Sequence, residues 1–290
     1  MALGGKVLDI MFDLYERDFF KDIKTVIDMG DQDAFVSYSE IESRFTNNKI
    51  KFNEQAWRNA KNHPKRPRVS SSILWNSFGI KEAFRMDIVK LDRDSNDNNK
   101  HVIQDLNFPL KDKSLNQKFD LVTDFGNNEH PFNIVEAYKT MHNLCKKNGY
   151  MIIYQSYLNG NGFYQFDSCT IDNIAAVNNY SILNSNFVVR RNEMSVVTPL
   201  DKNYLKLIDL NNVENIDIFY LLKKNSSEDF KFPYQGGGKE HIPKEYYTLS
   251  NFHKGRSPEQ IYLPHSVESI NTKELLKSLF RRLFKKINKK

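Results

Sequence analysis

The sequence predicts a doubly wound α/β domain on a mostly parallel sheet, and three observations lead there. Short apolar runs recur, each reaching an acid and then polar or turn residues: "TVIDMG" (25–30), "AFRMDIV" (83–89), "HVIQDL" (101–106) and "FDLVTDFG" (119–126). Such runs suit strands buried on both faces. Helical patterns stand among them, and strands alternating with helices build parallel βαβ units. Finally, Asp28, Asp87, Asp105 and Asp124 all lie at or near the ends of the runs, the edge where such sheets bind ligands.

Taken in order, residues 6–20 place Val7, Ile10, Met11, Leu14 and Phe19 at near-helical spacing, which predicts an amphipathic helix leading into the first strand. Residues 36–72 read as a polar stretch broken by Pro64 and Pro67. In "FNIVEAYKTMHNLC" (132–145), Ile134, Ala137, Tyr138, Met141 and Leu144 or Cys145 form a stripe, so a helix is predicted. "KKNGYMIIYQ" closes that helix at Asn148-Gly149 and launches another strand. "YSILNSNFVVRR" (180–191) and "IDIFYLLKKN" (216–225) alternate well enough to be strands. Residues 226–270, with Gly236-Gly237-Gly238 and four prolines, read as an irregular extension or linker.

At 290 residues the chain suits one large α/β domain with decoration, and 40% hydrophobic with 27% charged residues is a globular composition. Two cysteines, Cys145 and Cys169, exclude a disulfide scaffold, and neither a leader pattern nor a span of about 20 apolar residues is present. A cytoplasmic protein is expected. The formal net charge of +6 is unevenly placed: residues 271–290 carry +7, leaving the other 270 at −1, which argues against nucleic acid as the partner.

"VIDMGDQDAF" is the turn that matters. A buried run ending on an acid and a glycine suits a nucleotide-binding handover, yet a dinucleotide fingerprint needs two further glycines. It also needs an acid about 20 residues on, whereas Asp87 lies 59 residues after Asp28. A nicotinamide cofactor is therefore disfavoured.

The order of parts resembles another plan. "VIDMGDQ" as first motif, "RMDI" as second-strand acid, "VIQDLNFPL" and "FDLVTDFGNNEHPFN" as third and fourth segments, and "KKNGYMII" as the fifth look like a class I S-adenosylmethionine-dependent methyltransferase. "GFYQF" (162–166) and "DFKFPYQG" (229–236) look like landmarks of a subgroup often associated with bacterial surface-polysaccharide and other glycan biosynthesis. The resemblance spans roughly residues 15–235 and implies a Rossmann-like domain over 1–235 with S-adenosylmethionine as cofactor.

It also implies roles. Asp28 and Gly30 would shape the turn under the methionine part, with Gln32 standing where the family has its second glycine. Asp87 resembles the acid that accepts both ribose hydroxyls, and Asp105, Leu106 and Asn107 occupy the adenine position. Asp124 to His130 would floor the place where methyl donor and acceptor meet, with Asn127 and Asn128 departing from the small residues usual there. Phe163 and Tyr164 would roof the acceptor pocket, and Asn161 precedes "GFYQF" where a histidine often stands.

Methyl transfer from a sulfonium mainly requires positioning and, for a hydroxyl or amine acceptor, removal of a proton. His130 is the candidate base, with Glu129 as alternative or orienting group; the competing reading makes His130 a helix cap. Asp28, Asp87 and Asp105 have a competing reading as caps of turns. No histidine or cysteine spacing suggests a metal site.

In residues 273–290, Leu275, Leu276, Leu279, Phe280, Leu283, Phe284 and Ile287 recur at helical steps opposite a basic face. Such a helix (271–290, after a 236–270 extension) suits the inner face of an anionic membrane or a partner's groove, and equally suits docking on its own domain. The expected function is methyl transfer to a hydroxyl or amine of a sugar, glycan precursor or small metabolite. The alternative is a catalytically inactive scaffold of the same fold at a membrane-associated assembly.

Overall fold

The computed structural model describes residues 3–50, 52, 54–62, 68–89, 100–191, 194–206 and 213–233. Eight strands form one sheet in the order β3-β2-β1-β4-β5-β8-β6-β7: β1 (Thr25–Met29), β2 (Glu82–Asp87), β3 (Lys100–Ile103), β4 (Phe119–Phe125), β5 (Cys145–Leu158), β6 (Tyr180–Arg191), β7 (Met194–Pro199) and β8 (Asn215–Lys224). The first five are parallel, while β8 runs antiparallel between β5 and β6 and β7 pairs antiparallel with β6. From β1 the chain steps outward to β2 and β3, then returns to place β4 on the other side of β1. That reversal leaves a crevice outside the carboxyl ends of β1 and β4, the switch point at which open α/β sheets bind ligands.

Both sheet faces are covered, which is why the central strands are mostly apolar. Helices α1 (Gly5–Glu16), α2 (Tyr38–Asn47), α3 (Glu54–Lys61) and α4 (Ser71–Ser77) cover one face, contributing Leu8, Met11, Phe45, Trp57 and Trp75 to its core. Helices α5 (Ile134–Leu144) and α6 (Ser168–Val177) cover the other through Ala137, Met141, Ile171 and Ala175. A short helix, α7 (Lys202–Leu205), follows β7.

Two expectations need correction. Residues 36–72, read as a polar stretch, hold α2, α3 and the first residues of α4. Ser37 and Glu40 close a reciprocal capping box at the start of α2, a sequence signature in plain view. Tyr38, Ile41, Phe45 and Trp57 are the buried residues described in α2 and α3, too few apolar positions to stand out in a polar background. The second correction concerns α5, which stops at Leu144, before Asn148-Gly149. Its terminal carbonyls find partners outside the helix: Gln117 N–H donates to Asn143 O (2.6 Å), Lys118 N–H to Leu144 O (3.1 Å), and the buried Lys224 Nζ to His142 O (2.8 Å) and Cys145 O (3.0 Å). With the helix end satisfied there, residue 145 is free to begin β5.

Lys224→Met should therefore leave two buried carbonyls without their donor and destabilise the protein by about 1–3 kcal/mol. Urea unfolding checks this, and an unchanged midpoint would mean that the α5 terminus is satisfied without the lysine.

Among the described residues no helix is long and apolar enough to cross a membrane. The proposed extension (236–270) and basic helix (271–290) lie outside the described residues.

Candidate functional site

The turn after β1 is built around Gly30. Its φ of +87° is unfavourable for a side chain, and an added Cβ would come within 2.7 Å of both Asn127 Oδ1 and Gln32 Nε2. Gln32 folds back so that Nε2 donates to Met29 O (3.1 Å), and Asn127 arrives from the end of β4. The turns of β1 and β4 thus meet at the switch point, with amide side chains where further glycines would stand.

Asp87, at the end of β2, reaches across to this turn. Its Oδ2 accepts the Asp31 N–H (2.9 Å) and its Oδ1 accepts the Ile88 N–H (2.7 Å). Beside it Ile88 and Val89 are exposed, an apolar shelf next to a carboxylate. Asp31 in turn pairs with Arg85 at 3.0 Å, both side chains nearly inaccessible. Beyond β3, Asp105 Oδ1 accepts from Asn107 N–H and Nδ2 (2.9 Å each), while Asn107 Oδ1 and backbone O take the Asn133 N–H and Nδ2 at the start of α5. Leu106 is buried in the core. Gly30, Gln32, Asp87, Asp105 and Asn107 therefore line up along the carboxyl edge of β1, β2 and β3.

Asp28 does not reach that edge. Alternation along β1 turns it away from Ile27 and Met29 into the opposite core, where it is fully buried. Ser71 Oγ (2.5 Å), Trp75 Nε1 (2.9 Å) and the Thr123 hydroxyl all donate to it. Burial pushes its pKa up to about 6 in spite of these bonds. Asp28 is a tether between β1, β4 and α4, and its expected place at the cofactor turn is corrected to a structural one. Nothing in the local sequence marks this, because Ser71 and Trp75 lie more than forty positions away.

Asp124 is corrected in the same way. It is fully buried, accepts the N–H groups of Asn127 (2.8 Å) and Asn128 (3.2 Å) and a bond from Gln155 Nε2, and thereby shapes the loop from beneath. Burial, with Glu129 nearby, raises its pKa to about 7. Asn128 and Glu129 are also fully buried, so of the expected floor only Asn127 and His130 reach the surface.

His130 Nε2 lies 3.7 Å from Glu129 Oε1, an electrostatic contact too long for a hydrogen bond. The other carboxylate oxygen, Oε2, accepts the Ser156 N–H (3.3 Å), and Oε1 has no hydrogen-bond partner among the described residues. Burial raises the Glu129 pKa and lowers that of His130. A loop crosses tightly above Glu129: a Cβ on Gly162 would sit 2.6 Å from Glu129 Cγ, and one on Gly160 2.2 Å from Ser156 Oγ. Past this loop Tyr164 N–H donates to Glu129 O (3.3 Å) and its hydroxyl to Phe132 O (2.6 Å). Phe163 stands edge-on to Phe132 at 5.8 Å, both rings largely exposed. The structure thus gathers His130, Phe132, Phe163 and Tyr164 beside the crevice. Phe132, Ser156 and Gln155 were not picked out from the sequence.

No family model matches this chain, and no curated protein does. Among solved structures it is similar to S-adenosylmethionine-dependent methyltransferases from Mesorhizobium loti (10% identity over 69% of this chain and 90% of that one, TM-score 0.39) and Archaeoglobus fulgidus (13% over 74% and 94%, TM-score 0.41). It is also similar to the 1,6-didemethyltoxoflavin-N1-methyltransferase of Burkholderia thailandensis with bound 1,6-didemethyltoxoflavin and S-adenosylhomocysteine (10% over 78% and 92%, TM-score 0.39). The fold rests on the strand order and register above, which stand without these likenesses.

Proposed function

We propose that this protein is a class I S-adenosylmethionine-dependent methyltransferase acting on a hydroxyl or amine of a sugar, glycan precursor or small metabolite. The observation that carries the reading is the bridge from the Asp87 carboxylate to the Asp31 N–H, which joins an acid at the end of β2 to the glycine turn of β1 across the crevice. A ribose against Asp87 would find, in the lone pairs its two oxygens keep, an acceptor for both hydroxyls. Ile88 supplies an apolar face for the adenine, and Asp105 and Asn107 offer polar atoms at its edge. Under the amino-acid end, the space that Gly30 leaves is taken by the amide groups of Gln32 and Asn127, which would furnish the donors and acceptors there. The residues present fit the cofactor.

S-adenosylmethionine supplies a methyl group on a sulfonium, ready for in-line displacement. The chain's own task is to hold the acceptor in line and take its proton. His130, half-exposed and with its pKa lowered by burial, is neutral at pH 7 and able to accept that proton. Once charged, its ring faces the carboxylate of Glu129 3.7 Å away, so Glu129 steadies the protonated state. Phe132 and Phe163 form an aromatic edge against which a ring can pack.

Calorimetric titration with S-adenosylmethionine and S-adenosylhomocysteine, followed by a methyl-transfer screen against sugars and amines, tests this reading. Micromolar binding and turnover are expected. His130→Ala should lower turnover by roughly 10²–10⁴-fold and leave the affinity for S-adenosylhomocysteine unchanged. Absence of both heat and thermal shift would overturn the enzyme reading in favour of the scaffold.

A further inference from the structure

A cavity of about 620 Å³ opens where the carboxyl ends of β5 and β6 meet the starts of β7 and β8 and the first turn of α1. Its size is typical of a small-molecule site. None of the residues expected to bind cofactor or acceptor lines it.

Two parts of the cavity wall relate it to the proposed active site. Phe35, half-exposed on its wall, lies five residues after Gly30 on the segment that leaves the β1 turn. Gly160 forms another part of the wall, and a Cβ added there would lie 3.7 Å from Glu129 Oε2. The Gly160 backbone and the buried Ser156 side chain, 2.2 Å from that Cβ, separate the cavity from the acid beneath His130.

Its chemistry is specific. Arg190, Glu214, Asn159, Asn161 and Asn215 surround the space, planar groups that each present donors or acceptors in pairs. Beneath them Tyr154 donates to the buried Asp217, Asn215 Nδ2 donates to the same carboxylate (3.1 and 3.0 Å), and Arg190 lies near both Tyr154 and Asp217. That network holds Asn215 in place, yet its Oδ1 is buried without a hydrogen-bond partner among the described residues. Val7 and Val188 supply apolar contact on the walls. A hydrocarbon ligand would leave the polar ring unpaired, at a cost in desolvation for each group. A ring bearing neighbouring hydroxyls satisfies the paired groups and lays its C–H faces on the valines.

We infer that this cavity is a ligand site beside the proposed active site and that it takes a hydroxyl-rich, sugar-like molecule. Its place next to a methyl-transfer site rests on the methyltransferase reading, whereas its ligand class rests on the lining alone.

Saturation-transfer NMR on the full chain, with glucose, glucuronic acid and glucosamine as probes and cyclohexanol as a hydroxyl-poor ring, tests the inference. Transfer to at least one sugar and none to cyclohexanol is expected. Arg190→Met and Asn161→Leu should each weaken sugar binding about ten-fold or more, with the affinity for S-adenosylhomocysteine unchanged. Because Arg190 touches the buried network, Asn161→Leu, on an exposed loop, keeps the test informative if the first variant folds poorly. No transfer to any sugar, transfer to cyclohexanol alone, or sugar binding indifferent to both variants would overturn the inference while leaving cofactor binding intact. Sugar binding that responds to the variants in a protein that ignores S-adenosylhomocysteine would keep this inference and overturn the methyltransferase reading.

Discussion

Asp87→Ala is expected to weaken binding of S-adenosylhomocysteine by roughly 10²–10⁴-fold. Two ribose hydroxyls donating to an ionised carboxylate are worth about 1.5–3 kcal/mol each, so losing both removes about 3–6 kcal/mol. The same substitution takes away the acceptor of the Asp31 and Ile88 N–H groups, which loosens the turn and adds to the loss. Asp87→Asn separates the two contributions: its amide oxygen can still accept the Asp31 N–H, but it lacks the charge and the second acceptor. Its affinity should fall between those of the alanine variant and the unaltered protein. Calorimetry on all three, with urea unfolding to confirm that each is folded, decides the matter. An alanine variant binding within about three-fold of the unaltered protein, a difference under 1 kcal/mol, would remove Asp87 from the cofactor site.

Raising the pH from about 5.5 to about 8 is expected to lower stability, the reverse of a protein whose carboxylates are held ionised. Burial raises the folded-state pKa of Asp28 to about 6, Asp124 to about 7 and Asp217 to about 6, all above the usual carboxylate range. Between the unfolded and folded values the native state holds the extra protons, so the stabilisation is full below about pH 4 and is lost as pH rises through 6 to 7. Glu129 and Asp172, also raised by burial, act in the same direction. Two histidines oppose them. Burial lowers His142 to about 4 and lowers His130, so their contribution is present above about pH 6.5 and lost as pH falls.

The carboxyls outnumber the histidines, and each net proton changes stability by about 1.4 kcal/mol per pH unit. Urea midpoints across this range check the sign. Asp124→Asn should flatten the profile, since Gln155 can turn its unpartnered Oε1 toward the new amide. A midpoint that climbs steadily from pH 5.5 to about 8 would show that these carboxyls are ionised in the native state.

These two predictions concern aspartates that look alike in the sequence, each near the end of an apolar run, and the structure treats them differently. Asp87 closes β2 at the crevice, where it meets a neighbouring turn and an apolar shelf. Asp28 sits one residue inside the end of β1 and is turned to the opposite face, among Ser71, Trp75 and Thr123. The two-residue period of a strand already puts Asp28 on the other side from Ile27 and Met29. What covers that side could not be read locally, because the partners belong to α4 and β4.

Much of the fold was legible for a simple reason. Burying both faces of a parallel sheet demands apolar runs, and leaving each run for a helix demands turn residues, so β1 to β4, β5 from Tyr150 onward, and α5 announce themselves in short windows of sequence. Helices α2 and α3 did not, since a few residues seat them and the rest of their surface is polar. The end of α5 was misplaced because its stop signal lies in space, with Lys224 and the 117–118 backbone.

By itself the sequence determined the parallel α/β architecture, the glycine turn and the acid-ended strands, because each follows from local periodicity and local turn chemistry. Only the tertiary structure decided which of those acids are consumed inside the fold and which face the crevice. The same long-range packing brought Arg190, Asn161 and Asn215 around one cavity. Hydrogen-bond partners and burial depend on strand order, and strand order joins residues that no local pattern connects.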